Sequence, residues 1–283
     1  MPISLAETID DVRAFLAPHR AAGRRVALVP TMGALHEGHM ALVRQARAEC
    51  DLVVVSIFVN PTQFAPNEDL AQYPRTFESD RALCEREGVD LIFLPGNEMM
   101  YPAGYATYVA VERLSEPLCG RTRPTHFRGV TTVVAKLFNI VQPDAAYFGW
   151  KDAQQVVVIK RMVEDLNLSV AIRALPIVRE PDGLAMSSRN RYLDPESRRQ
   201  APAIFAALEE AEAAWKTGRA KNALALTALI REYITTHTVG RIDYVEIVSL
   251  DRLASLERVE PGNTLIAVAV YLGGARLIDN LRL

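Results

Sequence analysis

The chain has 283 residues, enough for one large domain or two modest ones. Hydrophobic residues make up 49% and charged residues 23%, as is ordinary for a globular enzyme, and no apolar run approaches the ~20 residues that span a bilayer. The net charge of −2 supplies no strong field that would recruit nucleic acid or an anionic membrane.

The first residues carry acidic side chains early and lack a long apolar core, so we do not expect a signal peptide. Cys50, Cys84 and Cys119 are odd in number and have no CxxC spacing. This argues against a disulfide framework and against a structural zinc site. Together these features favour a cytoplasmic protein.

In the first part of the chain, strands and helices are predicted to alternate. Residues 4–7 have the form of a capping box, and Ile9, Val12 and Leu16 follow at helical spacing. A short buried strand is predicted over 24–30, and a helix from about Gly38. The run 51–59 is too apolar and β-branched for a surface strand, and it is therefore expected to be covered on both faces.

The same alternation continues up to residue 178. Further helices are predicted over 76–88, 129–141 and 152–166, and further strands over 89–95, 144–149 and 168–178. Strands that alternate with helices imply an α/β fold with a parallel, doubly wound, Rossmann-like sheet.

After about residue 178 the pattern changes. One helix is predicted over 194–218, with Pro195 just inside its start and Gly218 just after its end. A second helix over 221–237 and strands over 242–248 and 263–274 follow, in a small separate sheet. We therefore expect a Rossmann-like domain at 1–177 and a smaller α+β C-terminal domain at 178–283, with a boundary near 176–190.

Two of the five histidines, His36 and His39, lie in one turn directly after the strand over 24–30. Open α/β sheets bind ligands at the carboxyl ends of their strands, and free N–H groups at a helix N-terminus attract phosphate. Gly33 and Gly38 allow the backbone to approach a ligand closely. Imidazoles there can donate hydrogen bonds to phosphate as charge develops in a transition state.

The residues alone leave other interpretations of these histidines open. They can be ordinary surface or capping residues, or they can bind zinc. The i,i+3 spacing differs from the HExxH zinc motif and no third ligand is evident, so we assign no metal-ligating residues. The GxxxxGK[ST] and GxGxxG motifs are both absent, so a nucleotide site would belong to another class.

Three further polar stretches carry side chains that can bind phosphate or form hydrogen bonds with a polar ligand. They are Asn60 with Gln63, then Gly149 with Lys151, Asp152 and Gln155, then Met186 with Ser187, Ser188 and Arg189. Amides both donate and accept hydrogen bonds, while lysine, arginine and hydroxyl groups suit phosphate. Taken singly, the stretches also read as a turn, the start of an amphipathic helix and a serine turn. The basic loop 120–129 is, on its own, a solvated surface.

The sequence "HEGH" resembles the HxGH signature of the nucleotidyltransferase superfamily, which is shared with class I aminoacyl-tRNA synthetases. Six stretches in order resemble the pantothenate synthetase (pantoate–β-alanine ligase) family: PTMGALHEGH, FVNPTQF, YPRTFESD, RPTHFRGVTTVVAKLFNIVQPD, FGWKDAQQ and DGLAMSSRN. The similarity covers nearly the whole chain and is densest between Val29 and Tyr192.

This resemblance implies roles for individual residues. ATP contacts are implied at Met32, Gly33, His36, Gly38, His39, Gly149, Lys151, Asp152, Val178, Met186, Ser187, Ser188 and Arg189. Catalytic roles are implied for His39 as a proton donor and for His36, Lys151, Arg189 and Ser187, and pantoate contacts for Gln63, Gln155 and Asn60. Residues 1–177 would bind nucleotide and pantoate, 178–283 would form a lid domain that carries the Met-Ser-Ser-Arg loop, and Tyr73 and Arg75 would flank the pocket.

The implied activity is that of an AMP-forming acid–amine ligase. Pantoate attacks the α-phosphorus of ATP to give pantoyl adenylate and pyrophosphate, and β-alanine then displaces AMP to give pantothenate. The resemblance also implies Mg²⁺ with the ATP, and a homodimer. The alternatives are an adenylyltransferase of the same fold, which has no need of Gln63 and Gln155, and a nucleotide-sensing protein without catalytic activity.

The chain departs from many relatives at three positions. It has Thr125 in RPTHF where many have glycine, Trp150 in FGWKD where many have glutamate, and Cys119 where some have glutamate. Because side chains alternate along a strand, we predict that Trp150 and Lys151 point in opposite directions. No carboxylate role is carried over to Cys119, because a thiol cannot replace a carboxylate. The resemblance places the basic loop 120–129 close to the active site, where Arg123 would position a lid.

Overall fold

The computed structural model describes residues 3–66 and 68–283. The chain divides into two compact units. The first holds the chain up to Trp150 together with Val158–Pro176, and the second holds Lys151–Val157 and Ile177–Leu283. The functional division predicted for 1–177 and 178–283 stays a prediction.

Six parallel strands form the sheet of the first unit. They are β1 (Ser4–Ala6), β2 (Val26–Thr31), β3 (Leu52–Ile57), β4 (Leu91–Phe93), β5 (Ala145–Gly149) and β6 (Ala171–Leu175). Their order in the sheet is β1-β4-β3-β2-β5-β6, and every described pairing between them is parallel. The predicted doubly wound α/β sheet is therefore confirmed.

Helices connect these strands. They are α1 (Ile9–Ala21), α2 (Glu37–Glu49), α3 (Phe77–Arg86), α4 (Asn97–Met100), α5 (Cys119–Thr122), α6 (His126–Val141) and α7 (Ala153–Asp165). On one face of the sheet, Val29 and Val55 pack against Met40 and Val43 of α2 and against Cys84 of α3. Helix α6 packs on β2 and on α1, and so covers the opposite face. All six residues of β3 are buried, as the sequence predicted for a strand covered on both sides.

The start of the chain differs from the prediction. Ser4 does not cap a helix, because Ser4–Ala6 pairs in parallel with Leu91–Phe93 and extends the sheet. The capping box lies at Thr8, whose hydroxyl accepts from the Asp11 N–H at 3.1 Å. Sheet pairing overrides the local capping pattern, while the predicted helical residues Val12 and Leu16 are buried in α1.

The second unit combines helices with an antiparallel sheet. Its helices are α8 (Pro195–Gln200), α9 (Ala203–Lys216) and α10 (Ala223–His237), and its strands are β7 (Arg241–Ser249), β8 (Thr264–Leu272) and β9 (Ala275–Arg282) in the order β7-β8-β9. Leu208 and Ile230 from the helices share one core with Val245 and Val268 from the strands. The predicted small separate sheet is confirmed.

Two features of this unit were not foreseen. The single helix predicted over 194–218 is two helices, because Pro202 has no N–H to continue the hydrogen-bond ladder of α8. The strand β9 was missed, although its first residues alternate between buried and half-buried positions.

Among the described residues, no helix is long and apolar enough to cross a membrane.

Candidate active site

The turn after β2 is held in an unusual backbone conformation by a buried carboxylate. Gly33 has φ of 82° and Ala34 has φ of 50°, both in the left-handed region. Asp80 of α3 is 1% exposed, and its carboxylate accepts the N–H of Ala34 at 2.9 Å and that of Leu35 at 2.8 Å. A Cβ on Gly33 would lie 3.1 Å from Asp80 Oδ2, so glycine fits this turn closely.

Asp80 was missed by the sequence analysis, although it lies inside the motif YPRTFESD. The available signal was that Asp80 lies on the same face of α3 as the apolar residues Phe77 and Cys84. Thr76 also donates its hydroxyl to Asp80 Oδ1 at 3.1 Å, which completes the set of donors around the carboxylate.

We predict that Asp80→Asn will destabilise the protein by about 1–3 kcal/mol. The asparagine amide has only one oxygen, so one of the two backbone N–H groups would face a second donor instead of an acceptor. Chemical denaturation measures the change, with Asp165→Asn, at an exposed helix end, as the matched control. Equal unfolding free energies for the two variants would contradict this role of Asp80.

The turn delivers two histidine rings to the N-terminus of α2. His36 is the N-cap residue, and its Nδ1 accepts the Gly38 N–H at 3.2 Å. The His39 Nδ1 accepts the His36 N–H at 3.3 Å, and the two ring centroids are 4.1 Å apart. An Nδ1 that accepts a hydrogen bond carries no proton, so each neutral ring is protonated at Nε2. Both rings can therefore donate through Nε2, and both are half-buried.

The carboxyl end of β3 brings a glutamine to the same edge of the sheet. Residues Pro61–Gln63 form a 3₁₀ turn, and the side chain of Gln63 is buried. The Gln63 Nε2 lies 3.1 Å from the sulfur of Met32, which directly follows β2. The structure thus brings together Met32 and Gln63, 31 positions apart in the sequence.

Helix α6 and the loop before it support this turn. A Cβ on Gly129 would lie only 2.5 Å from the Thr62 carbonyl oxygen, so the helix touches the turn at backbone distance. His126 Nδ1 donates to the Gln63 carbonyl at 2.9 Å, and Arg123 donates to the same oxygen at 3.2 Å. Two residues of the basic loop therefore stabilise the Gln63 turn through hydrogen bonds.

Arg123 also makes a bidentate ion pair with Glu68, with both N–O distances at 2.6 Å. Burial tends to raise the pKa of the Glu68 carboxyl, but the hydrogen bonds and charge of Arg123 outweigh it and hold that pKa below its ordinary value. The carboxylate thus stays charged at neutral pH, and the pair ties the segment after Gln63 to the loop before α6. The lid-positioning role implied for Arg123 stays a prediction.

In the second unit, Lys151 and Asp152 belong to a 3₁₀ turn, Trp150–Asp152, that leads directly into α7. The Lys151 Nζ lies 3.6 Å from Asp152 Oδ2, and the lysine carbonyl accepts from Asn280 at 3.1 Å. Gln155 lies one turn further along, in α7. The strand-alternation argument for Trp150 was wrong, because β5 ends at Gly149 and the chain turns there.

A Cβ on Gly149 would meet no described atom within 4 Å. The packing of the protein therefore does not require a glycine at the end of β5, and space remains there. Cys50, Cys84 and Cys119 are all buried, and none of them is joined in a disulfide.

The Met-Ser-Ser-Arg segment, which the resemblance implied to be a loop, belongs to a hydrogen-bonded hairpin and a 3₁₀ turn. Met186 donates its N–H to the Val178 carbonyl at 3.0 Å, and an antiparallel bridge joins Arg179 to Ala185. Ser187 caps a 3₁₀ turn at Ser188–Tyr192 by accepting the Arg189 N–H at 3.3 Å. The structure thus joins the predicted residues from Val178 to Arg189 in one hairpin and turn.

This hairpin is fixed within the second unit by an ion pair. Arg179 contacts both carboxylate oxygens of Asp279, at 2.7 and 2.9 Å, and Asp279 is only 4% exposed. Neither residue was singled out by the sequence analysis.

In the described part of the chain, no group of three histidine, cysteine, aspartate or glutamate side chains is placed to hold a metal ion.

Comparison with known proteins identifies the family of this chain. The chain matches the family model for pantoate–β-alanine ligase over residues 4–282. A pantothenate synthetase from Moorella thermoacetica is 56% identical over 279 residues, covering 99% of this chain and 98% of the relative. One from Thermotoga neapolitana is 53% identical and covers 98% of each chain.

Solved structures agree with this assignment. Pantothenate synthetase from Thermus thermophilus aligns with a TM-score of 0.93 at 46% identity and covers 99% of each chain. The pantoate–β-alanine ligase from Francisella tularensis, solved as a complex with "Beta-gamma ATP and Beta-alanine", aligns with a TM-score of 0.81 at 33% identity, covering 99% of this chain and 97% of that one. The histidine turn, the buried glutamine and the Met-Ser-Ser-Arg hairpin thus lie in a chain that belongs to the pantoate–β-alanine ligase family.

Proposed function

We propose that this protein condenses pantoate with β-alanine to form pantothenate, with cleavage of ATP to AMP and pyrophosphate. The observation that carries the proposal is the turn after β2, where His36 and His39 are both set to donate through Nε2. Family membership supplies the substrates, and the turn supplies donors of the kind that a phosphoryl transfer requires.

In the first half-reaction, a pantoate carboxylate oxygen attacks the α-phosphorus of ATP. One bond from oxygen to phosphorus forms, and the bond from the α-phosphorus to the bridging oxygen breaks, so that pyrophosphate leaves. Both reactants are anions, so the reaction depends on groups that offset their repulsion. We assign this role to Nε2–H of His36 and His39, with His39 as the principal donor to the α-phosphate.

The turn is suited to this role because little reorganisation is needed. Asp80 holds the backbone before His36, and each imidazole is oriented by a backbone N–H to its Nδ1. Donors that are already oriented stabilise developing charge without a further cost at the moment of reaction. We also assign ATP contacts to Met32, Gly33, Gly38 and Gly149.

Residues of the second unit complete the proposed assignments. We propose that Lys151, Ser187 and Arg189 stabilise the phosphates and take part in catalysis. ATP contacts are also assigned to Asp152, Val178, Met186 and Ser188. Lysine, arginine and hydroxyl groups are suited to phosphate oxygens, and the hairpin from Val178 to Arg189 presents several of them together.

In the second half-reaction, the β-alanine amine attacks the acyl carbon of pantoyl adenylate. A carbon–nitrogen bond forms, the carbon–oxygen bond to AMP breaks, and the amine loses a proton. No side-chain nucleophile is needed, because adenylation has already supplied the leaving group. Gln63 and Gln155 are assigned to pantoate, and Asn60, whose amide donates a hydrogen bond to Gln63, is assigned to the same site.

We propose further that ATP is used as its magnesium complex, and that the protein acts in the cytoplasm as a homodimer. Magnesium usually binds substrate phosphates with only one or two protein carboxylates. A cluster of protein ligands is therefore not required for this part of the proposal.

The proposal is tested by mixing the purified protein with ATP, Mg²⁺, pantoate and β-alanine and measuring AMP and pantothenate. Both products are expected in equal amounts, and only when all three substrates are present. Release of AMP without pantothenate, or the absence of AMP release, would contradict the proposed function.

Gln63→Ala is expected to weaken the binding of pantoate more than that of ATP. Loss of a buried amide that pairs with the substrate costs about 1–3 kcal/mol, or roughly 5- to 150-fold in affinity. Steady-state kinetics with each substrate varied in turn measure the change, and Gln45→Ala, on the exposed face of α2, is the matched control. An unchanged KM for pantoate beside a raised KM for ATP would contradict this assignment.

A further inference from the structure

The side chain of Gln63 is oriented by a chain of hydrogen bonds that begins at Asn60. The Asn60 side chain is buried, with 1% of the residue exposed. Its Oδ1 lies 3.3 Å from the N–H of Thr62, 2.9 Å from the Thr62 hydroxyl and 2.8 Å from the Tyr101 hydroxyl. A backbone N–H is only a donor, so this atom of Asn60 is the oxygen.

The other end of the Asn60 amide is fixed independently. Its Nδ2 donates to the Gly129 carbonyl at 3.1 Å, and a carbonyl only accepts. The same Nδ2 donates to Gln63 Oε1 at 3.0 Å. Both hydrogens of Nδ2 are therefore used, and one of them engages the oxygen of Gln63.

It follows that Gln63 turns its Nε2 away from Asn60. That nitrogen lies 3.1 Å from the sulfur of Met32, at the end of β2. Thioether sulfur is a weak acceptor, so a better acceptor can replace it when a substrate binds. The group that Gln63 presents is an N–H donor, and the matching substrate group is a hydroxyl or carboxylate oxygen.

Tyr101, which donates its hydroxyl to Asn60, is itself held in place by its neighbours. Its ring makes an edge-to-face contact with Tyr105, with centroids 5.0 Å apart, and Lys136 Nζ lies 5.6 Å from its ring centroid. Burial raises the pKa of the Tyr101 phenol to about 12. The phenol therefore keeps its proton at neutral pH and can donate it to Asn60.

We infer that Tyr101 is a positioning residue, which acts through Asn60 to make Gln63 present its amide N–H groups to pantoate. The inference rests on the proposed function, because it takes pantoate as the ligand of Gln63. It adds the polarity of the contact and a residue outside the motifs that carry the family resemblance. Tyr101 itself need not touch the substrate.

The experiment measures dissociation constants by calorimetry, for pantoate in the presence of a non-hydrolysable ATP analogue and for that analogue alone. Tyr101→Phe removes one hydroxyl and keeps the ring. We expect it to raise the Kd for pantoate about three- to tenfold, the effect of losing one hydrogen bond. The Kd for the nucleotide is expected to stay within about twofold.

Tyr105→Phe is the matched control. Tyr105 carries the same hydroxyl and lies beside Tyr101, but it is not part of the chain of hydrogen bonds from Tyr101 to Gln63. We expect its Kd for pantoate to stay within about twofold of the wild type. Equal effects of the two substitutions would overturn the inference.

A double-mutant cycle separates positioning from a general structural role. If Tyr101 acts through Gln63, then Tyr101→Phe should have no further effect on pantoate binding once Gln63→Ala is present. Effects that multiply in the double variant would overturn the inference.

The same titrations keep the two proposals apart. Binding is measured without turnover. If the wild type binds pantoate but cannot make pantothenate, the proposed function is refuted, and the variants still test the chain of hydrogen bonds from Tyr101 to Gln63. A wild type that does not bind pantoate would overturn both proposals.

Discussion

Replacement of His39 by alanine is expected to lower kcat about 100- to 1000-fold while the protein stays folded. The ring is half-buried at the start of α2 and adds little to the core. Its proposed contribution is one oriented donor to the α-phosphate, and the loss of such a donor typically costs about 2.7–4 kcal/mol in the transition state. Steady-state kinetics measure the loss of turnover, and thermal unfolding shows whether the protein stays folded.

His39 has a structural contact as well, since its Nδ1 accepts the His36 N–H. His39→Asn separates the two roles, because the asparagine oxygen can replace Nδ1 as acceptor while the Nε2 donor is lost. We expect His39→Asn to melt close to the wild type and to lose as much turnover as His39→Ala. His237→Ala, at the exposed end of α10, controls for the loss of an imidazole elsewhere. Turnover of His39→Asn within a few-fold of the wild type would refute the donor role.

Gly129→Ala is expected to destabilise the protein and to weaken pantoate binding together. The added methyl group would lie 2.5 Å from the Thr62 carbonyl oxygen and 2.7 Å from the Gln63 Cα. Backbone atoms cannot swing aside as a flexible side chain can, so we expect a cost of about 3 kcal/mol. Alanine gains ~1 kcal/mol in helix propensity, which leaves a net loss of roughly 2 kcal/mol.

The matched control is Gly96→Ala, which adds the same methyl group at an exposed position with no described atom within 4 Å. Its unfolding free energy is expected to change by less than about 1 kcal/mol. For Gly129→Ala, displacement of the Gln63 turn should also raise the Kd for pantoate. A Gly129→Ala protein as stable as the wild type would show that α6 does not fix this turn.

The sequence predicted the elements that depend on local pattern and on the alternation of strands and helices along the chain. The histidine turn lies where it was expected, and α2 begins at Glu37, one residue from the predicted start. The run 51–59 contains β3, and all six residues of β3 are buried because the strand is central in a parallel sheet. Pro202 was visible in the sequence as a helix breaker, and the single helix predicted there ignored it.

Other features depend on contacts between distant segments, which local patterns do not record. Asp80 binds backbone groups 45 and 46 positions earlier, and nothing near Asp80 in the sequence specifies that pairing. Ser4 looked like a helix cap, but pairing with β4 made it a strand. Tyr101 reaches Asn60 across 41 positions, through a loop without a periodic pattern.

The central claim is that pantoate is activated as an acyl adenylate, and transfer of a labelled oxygen tests it most directly. The protein is given pantoate with oxygen-18 in its carboxylate, together with ATP, Mg²⁺ and β-alanine, and the released AMP is analysed by mass spectrometry. Attack of the carboxylate on the α-phosphorus predicts one labelled oxygen in each AMP formed from labelled carboxylate. AMP without label, formed alongside pantothenate, would contradict the adenylate mechanism.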